Sequence, residues 1–425
     1  VHHRDAVTPL RWTPQLPGDK SITHRAYLLG ALAEGTTTVD RPNEGDDCRA
    51  TLRAIESLGV LVERTEARVR LIGSAGRLHA PDAPLDLGNS GTGLRLLLGL
   101  LAGQPFTTVL TGDASLRRRP VERVLAPLRS MGARAEAAGD HPPVTLTGAA
   151  LTGATHRLAT PSAQAKSALL LAGVQASGRT RVEGIAGSRD HTERLLPAFG
   201  CPVATTPDAV TVEGPRALTA SDVRVPGDPS AATFYLMAAA LTPRYEVTLE
   251  GVSLNPTRIH HFEVLRRMGL ALDAAVESGS EPEPWGRVTA RGGELRAVEI
   301  GPSEIAGLID ELPALAVLAA FARGTTRVSG AAELRVKESD RLSAVAKGLA
   351  AIGAKVTALP DGWLIEGSAG APLAGGAVET SGDHRVAMAF LIAGLATRKG
   401  VTLVGAPMIE TSDPFFLSNL EALRS

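Results

Sequence analysis

Apolar and polar positions recur along the chain in one order: a few small or polar residues, an apolar helical stretch, a glycine, then a β-branched strand. PGDKSITHRAYLLGALAEGTTTVD opens at Pro17, GNSGTGLRLLLGLLAGQPFTTVL at Gly88, and PSAQAKSALLLAGVQASGRTRVEG at Pro161. PGDPSAATFYLMAAALTPRYEVTLEG follows at Pro226, DELPALAVLAAFARGTTRVSG at Asp310, and GDHRVAMAFLIAGLATRKGVTLVG at Gly382. The starts lie ~65–84 residues apart, so six near-equal units fill the chain, the mark of an internal repeat. Between them lie second helical patterns with apolar residues at i, i+3 and i+4 and a closing glycine suited to a left-handed C-terminal position. Asp46–Val60, Val121–Ala133, His191–Cys201 and Ser339–Val356 are examples. Short Val- and Thr-rich runs such as Val144–Gly148 and Val210–Gly214 predict strands. One unit therefore reads as two helices and about four strands in mixed α/β order.

The residues before each apolar helix suggest chemistry. A helix N-terminus carries unpaired N–H groups and about half a positive charge, so it attracts anions. Ser, Asp and Gly there are also ordinary caps. What raises several copies above that reading is a cation beside the cap. Lys20, Ser21 and Arg25 lie on the first turns of one helix, with Ser21 and Arg25 on one face. Asn89, Ser90, Gly91 and Thr92 crowd a second start, where glycine lets a ligand approach the backbone. Arg117, Arg118 and Arg119 follow in a row; runs of like charge usually face water, which suits the first two. Ser162, Gln164 and Lys166 open the third block, and Arg189-Asp190-His191 follows a glycine turn. Lys337-Glu338-Ser339-Asp340-Arg341 precedes a helix, where a capping box is the plain alternative. Asp383-His384-Arg385 opens the last block, and His191 and His384 also fit as hydrogen-bonded structural histidines. Arginine suits two-pronged binding of phosphate or carboxylate.

Composition narrows the field. Forty-four Lys and Arg against 45 Asp and Glu leave a net charge of −1, which argues against a general nucleic-acid binder. Eight Phe, three Trp and three Tyr in 425 residues are few for base-stacking platforms. The two cysteines, Cys48 and Cys201, exclude a disulfide framework and a multi-cysteine metal site, and fit a reducing cytoplasm. The longest strongly apolar run, Leu312–Ala322, contains Pro313 and is shorter than the ~18 residues a membrane helix needs. The start, Val1-His2-His3-Arg4-Asp5, lacks the apolar core of a secretory signal. A soluble, cytoplasmic protein with no membrane or nucleic-acid partner is expected. No GK[ST] P-loop, HExxH helix or GxSxG elbow is present; Gly18-Asp19-Lys20-Ser21 resembles a P-loop end but has Asp19 where glycine is needed.

The motifs LPGDKSITHRAYLLGALAEG, LGNSGTGLRLLLGLLAG, GDASLRRRP, PSAQAKSALLLAG, SRDHTERLL, VPGDPSAATF, ELRVKESDRL and GDHRVAMAF run in order from Leu16 to about residue 390. Together they closely resemble the 5-enolpyruvylshikimate-3-phosphate synthase family, with the SAQ-K and RDHTE forms most similar to class II bacterial members. The resemblance implies an α/β fold of two globular domains, each of three repeated units, the six-fold pseudo-repeat of the inverse-barrel enolpyruvyl transferases. Residues 17–225 would form the N-terminal domain, and 1–16 with 226–425 the C-terminal one, with crossings near Leu16–Gly18 and Val223–Pro226. It also implies an active site between the halves that closes on substrate, a monomer, and no metal or cofactor.

The reaction implied moves the enolpyruvyl group of phosphoenolpyruvate to the 5-hydroxyl of shikimate 3-phosphate through a tetrahedral intermediate, releasing phosphate. Carried over by motif, Lys20, Ser21, Arg25, Ser162, Ala163, Gln164, Arg189, Asp310 and Lys337 contact shikimate 3-phosphate. Lys20, Gly91, Arg119, Gln164, Arg341 and Arg385 contact phosphoenolpyruvate. Asp310 accepts the 5-hydroxyl proton, and Glu338, with Lys20 as rival, protonates the methylene carbon. Many members carry a lysine before a Ser/Thr-Phe-Pro near the C-terminus; here the segment is Ile409-Glu410-Thr411-Ser412-Asp413-Pro414. That phosphoenolpyruvate contact is either missing or replaced by another residue such as Lys399. Glyphosate competes with phosphoenolpyruvate in this family, and some tolerant members carry alanine at the position of Gly91. The sister transferase acting on a UDP-sugar usually has a cysteine in the loop equivalent to Gly112–Pro120, and none stands here. A silent metabolite sensor need not keep Asp310 and Glu338, and a 3′-phosphate RNA cyclase does not suit the neutral charge.

Overall fold

The strand that leads into the first block helix belongs elsewhere in the fold, and this organises the molecule. The computed structural model describes residues 9–405 and 409–424; the stretch Val1–Asp5 lies outside them. The chain divides into two units, Gly18–Pro226 and a second made of the chain up to Pro17 together with the chain from Gly227 onward.

Strand β1 (Leu10–Trp12) is part of that second unit. Within Gly18–Pro226, the first copy holds α1 (Lys20–Leu32), β2 (Thr36–Asp40), α2 (Asp46–Ser57), β3 (Leu61–Arg64) and β4 (Arg68–Ile72). The second holds β5 (Leu85–Asp86), α3 (Gly91–Leu101), β6 (Thr107–Thr111), α4 (Glu122–Ser130), β7 (Arg134–Ala138) and β8 (His141–Thr147). The third holds β9 (Thr155–Arg157), α5 (Ala163–Gln175), β10 (Gly178–Glu183), α6 (His191–Ala198), β11 (Ala204–Thr206) and β12 (Ala209–Gly214), followed by β13 (Val223–Arg224). Each copy has one four-stranded sheet, ordered β13-β2-β4-β3, β5-β6-β8-β7 and β9-β10-β12-β11. In all three the first pair is parallel and the remaining pairs antiparallel.

The second unit repeats the scheme. Its first copy has α7 (Pro229–Leu241), β14 (Tyr245–Ser253), α8 (His260–Arg267), β15 (Ala271–Val276) and β16 (Trp285–Arg291). Next come β17 (Glu299–Ile300), α9 (Pro302–Leu308), α10 (Leu312–Ala319), β18 (Thr325–Val328), α11 (Arg341–Ala351), β19 (Lys355–Leu359) and β20 (Gly362–Glu366). The last copy holds β21 (Gly376–Glu379), α12 (His384–Ala393), β22 (Val401–Val404) and α13 (Phe416–Arg424). The sheets are β1-β14-β16-β15, β17-β18-β20-β19 and β21-β22.

Elsewhere the strand before a block helix pairs with the strand after it, as β5 does with β6. β1 and β13 exchange these places. β1 precedes α1 yet pairs with β14, in register Leu10 with Tyr245. β13 precedes α7 yet pairs with β2, in register Val223 with Val39. Two features depart from the six-fold sequence pattern. The short helix α9 is additional, begun by Pro302 at its first turn, where the missing N–H costs nothing. The sixth copy has a two-stranded sheet, because after Val404 the described chain enters a 3₁₀ turn at Ile409–Thr411 and α13 instead of a hairpin.

Beyond their polar first turns, helices α1, α3 and α5 are apolar nearly all round and share one core, and α7, α10 and α12 share a second core in the other unit. A helix of that kind is stable only when enclosed. Strands such as β4 and β8 alternate exposed and buried positions, as expected for sheets that cover a core with one face. The helices are therefore inside and the sheets outside. Packing of α3 on α5 is close enough to require glycine: a Cβ at Gly99 would lie 2.1 Å from the Ala168 carbonyl oxygen. Among the described residues no helix is long and apolar enough to cross a membrane, and Cys48 and Cys201 are buried and unbridged.

Candidate active site

Three helix starts meet at one end of the unit Gly18–Pro226. Asp19 caps α1 by accepting the Ile22 amide at 3.0 Å, Ser90 caps α3 through the Gly93 amide at 3.1 Å, and Ser162 caps α5 through the Ala165 amide at 3.3 Å. Side chains tie these turns together. Gln164 Nε2 donates to Thr92 Oγ1 at 2.8 Å, and Arg95 Nη1 donates to Gln164 Oε1 at 2.9 Å. Arg25 donates from Nη2 to Ser167 Oγ at 2.7 Å, from Nε to Thr192 Oγ1 at 2.8 Å, and from Nη1 to the Ser21 carbonyl at 2.8 Å. Caps and cations thus occupy the same turns: the capping reading holds, and it leaves the cations in place beside the helix starts.

Lys20 is largely buried and its Nζ lies 2.8 Å from Asp47 Oδ2, near the start of α2. His24, one turn on, donates or accepts at Thr51 Oγ1; burial, then Lys20 and Arg25, push its pKa well below the usual histidine value, so it is neutral. Of the three consecutive arginines, Arg117 and Arg118 are exposed and Arg119 is buried. Arg119 Nη2 donates to Asn89 Oδ1, and Asn89 Nδ2 donates to Asp113 Oδ2 at 2.8 Å. Gly91 backs onto this arginine: a Cβ there would lie 2.8 Å from Arg119 Nη1 and 3.0 Å from Arg95 Nη1. Arg189 reaches Ser21 Oγ from Nη1 at 3.5 Å. Lys20, Ser21, Arg25, Gly91, Arg119, Ser162, Ala163, Gln164 and Arg189 are thus linked through the first turns of α1, α3 and α5 and their adjoining loops.

The other unit gathers a second cluster around Arg341. This guanidinium is fully buried at the start of α11, with Asp383 Oδ2 at 2.7 Å, Glu338 Oε2 at 2.7 Å and Asp310 Oδ1 at 3.5 Å. Burial disfavours its charge, but Asp383, Glu338 and Asp310 outweigh that and raise its pKa above the ordinary arginine value. Asp383 is buried too, yet Arg341 holds its carboxyl below the usual range. Asp383 also caps α12, accepting the Arg385 amide at 2.9 Å. Arg385 donates to the Asp310 carbonyl at 3.2 Å and lies 3.7 Å from the Asp310 carboxylate. Lys337 pairs with Glu333 at 3.5 Å; burial pulls its ammonium pKa down, while Asp310, Glu333 and Glu338 pull it up. Asp310, Lys337, Glu338, Arg341 and Arg385 therefore form one charged group at the starts of α10, α11 and α12. Among the described residues no group of three or more His, Cys, Asp or Glu is arranged to hold a metal ion.

The match to known proteins runs the length of the chain. Residues 5–420 fit the family model described as EPSP synthase (3-phosphoshikimate 1-carboxyvinyltransferase). The chain belongs to the EPSP synthase family. The 3-phosphoshikimate 1-carboxyvinyltransferase of Shouchella clausii is 44% identical over 424 residues, covering 99% of this chain and 98% of that protein. The enzyme of the same name from Roseiflexus castenholzii is 46% identical, and the alignment covers all of both chains. The solved EPSP synthase of Acinetobacter baumannii superposes with a TM-score of 0.86 at 42% identity, covering 97% of this chain and 96% of that one.

In the C-terminal segment, Ser412-Asp413-Pro414 departs from the Ser/Thr-Phe-Pro that the resemblance implies and places a carboxyl that is almost completely buried. Its Oδ2 accepts the Tyr235 hydroxyl at 2.8 Å and its Oδ1 the Phe415 amide at 3.0 Å. Lys399, the suggested replacement for the family lysine, is exposed beyond the C-terminal end of α12, ~15 Å of helix from Arg385 at the other end. Sequence reasoning passed over Asp47 and Arg95. Asp47 lies in a Glu-Gly-Asp-Asp run that reads as a helix start, and Arg95 sits in an otherwise leucine-rich helix. A lone arginine among buried leucines was the available signal, since such a charge needs polar partners.

Proposed function

We propose that the protein is a 3-phosphoshikimate 1-carboxyvinyltransferase that joins the enolpyruvyl group of phosphoenolpyruvate to the 5-hydroxyl of shikimate 3-phosphate and releases phosphate. The observation that carries this reading is the family match over residues 5–420, and the two clusters of cations at helix starts support it. Each substrate bears a phosphate and a carboxylate, and guanidiniums at helix N-termini suit both groups.

In this reading Lys20, Ser21, Arg25, Ser162, Ala163, Gln164, Arg189, Asp310 and Lys337 hold shikimate 3-phosphate. Lys20, Gly91, Arg119, Gln164, Arg341 and Arg385 hold phosphoenolpyruvate. The 5-hydroxyl oxygen attacks C2 of phosphoenolpyruvate while its proton passes to Asp310. Glu338 delivers a proton to the methylene carbon, giving a tetrahedral adduct. Loss of a proton from the new methyl group and of phosphate from C2 then restores the double bond. Positioned acids and bases typically contribute ~10²–10⁴-fold, and fixed cations stabilise the charge that develops on the adduct. Lys20 is the rival donor: Glu338→Gln should abolish the step if Glu338 donates, and Lys20→Met if Lys20 does. The reading extends to a cytoplasmic monomer acting on these two small anions without metal, membrane or nucleic acid; the near-balanced charge supports the last of these, the absence of a nucleic-acid partner.

The test is phosphate release from phosphoenolpyruvate with shikimate 3-phosphate, with UDP-N-acetylglucosamine run in parallel. Release that depends on shikimate 3-phosphate is expected. Release only with the UDP-sugar, or none with either acceptor despite binding, overturns the reading.

A further inference from the structure

The loop that carries Arg189 is fastened to α5 by a buried side chain. Lys166, on the first full turn of α5, is 1% exposed. Its ammonium lies 2.5 Å from Glu193 Oε1 on α6 and donates to Ser188 Oγ at 2.9 Å. Ser188 immediately precedes Arg189, in a stretch from Gly184 to Asp190 that holds no helix or strand and turns at Gly184 and Gly187, both with positive φ. Ser167, next along α5, and Thr192, just before Glu193 on α6, form an adjacent rung, with Thr192 Oγ1 donating to Ser167 Oγ at 2.7 Å and both accepting from Arg25.

Stability alone does not account for such a pair. A buried ion pair can often be exchanged for apolar side chains of similar volume at no loss, or at a gain. Direction is what an apolar pair lacks. An ammonium has three donors at fixed angles; Glu193 takes one, and another points at the loop. The same helix presents Ser162, Ala163 and Gln164 one turn earlier. Burial pulls the lysine pKa down and Glu193 pulls it back up, so the carboxylate also sustains the charge.

We propose that Lys166, oriented by Glu193, is a positioning residue for shikimate 3-phosphate: through Ser188 it sets the spacing between Arg189 and the first turn of α5, so that both grip one substrate. This rests on the reading of Arg189 and Ser162–Gln164 as substrate contacts. Ser188→Ala breaks only the tie to the loop and leaves the ion pair. The double variant Lys166→Met/Glu193→Met removes the pair as a whole and avoids an uncompensated charge.

Steady-state kinetics with each substrate varied, alongside thermal unfolding of the full chain, tests this. Ser188→Ala is expected to raise KM for shikimate 3-phosphate about tenfold while kcat and KM for phosphoenolpyruvate stay within about twofold. The double variant is expected to melt near the wild type yet show the same raised KM. Arg189→Ala is the control. A raised KM in Arg189→Ala with wild-type values in both Ser188→Ala and the double variant overturns the positioning role alone. An unchanged KM in Arg189→Ala overturns the reading of Arg189 as a contact, and the positioning role with it. A loss in the variants that affects kcat and both KM values together, in step with a lowered melting point, also overturns it, because that pattern marks a structural pair.

Discussion

Asp413 should make the second unit less stable as pH rises through neutrality. The carboxyl is almost fully buried, and burial pushes its pKa from the ordinary 3.8 up to about 7, against hydrogen bonds from Tyr235 and from the Phe415 amide, with Asp228 adding to the rise. A carboxyl whose pKa is raised on folding contributes stability that is present below the unfolded value and lost as pH climbs through the folded one. The interval from 3.8 to about 7, at ~1.4 kcal/mol per pH unit, amounts to about 4 kcal/mol as an upper limit. Asp413→Asn removes the titration. All three tryptophans, Trp12, Trp285 and Trp363, lie in the second unit, so their fluorescence follows its unfolding separately from that of Gly18–Pro226. In urea titrations between about pH 5 and about pH 8, wild type should lose ~3 kcal/mol relative to Asp413→Asn. Taking the difference cancels the other titrating groups. Parallel pH profiles for the two proteins would refute the burial argument, and an opposite slope would mean that Asp413 is held ionised.

Three further outcomes follow from the site. Arg119→Ala should lower kcat/KM by on the order of 10²-fold, because a buried, preorganised cation is removed; near-normal rates would mean that Arg119 touches neither the substrate nor the adduct. Gly91→Ala puts a methyl against Arg119 Nη1 and Arg95 Nη1, both ends of flexible side chains, and should weaken glyphosate inhibition more than it slows turnover; inhibition and activity measured side by side decide, and equal loss of both counts against it. Asp383→Ala removes the α12 cap and one of the two carboxylates that lie 2.7 Å from a buried guanidinium. It should cost about 3 kcal/mol in tryptophan-monitored unfolding, and a midpoint matching the wild type would contradict that.

Helix positions were well marked in the chain, because small polar caps followed by long apolar runs leave few alternatives. Asp19, Ser90, Ser162, Asp228 and Asp383 each cap the helix that their block predicts. The second helices were equally plain, as at Asp46–Ser57 and Arg341–Ala351. Pairings between distant residues were not. Lys20 with Asp47, Arg95 with Gln164 and Lys166 with Glu193 join copies or elements whose approach is set by tertiary packing, and no local pattern encodes it. Asp413 was hidden for the opposite reason. A carboxyl in a polar segment before proline looks solvated, and its burial under Tyr235 depends on where α13 docks.

The exchange of edge strands between copies also sets an order of assembly during synthesis. Strand β1 leaves the ribosome early, but its partner β14 follows only about 235 residues later, and at ~5–20 residues per second that is a wait of tens of seconds. The segment Gly18–Pro226 is continuous in sequence and closes its own first sheet once β13 has emerged. It can therefore fold while β1 still trails from its front end. Three residues long, with only Trp12 buried, β1 is a poor template for stray pairing during that wait, as suits an edge that must stay single until its partner is made.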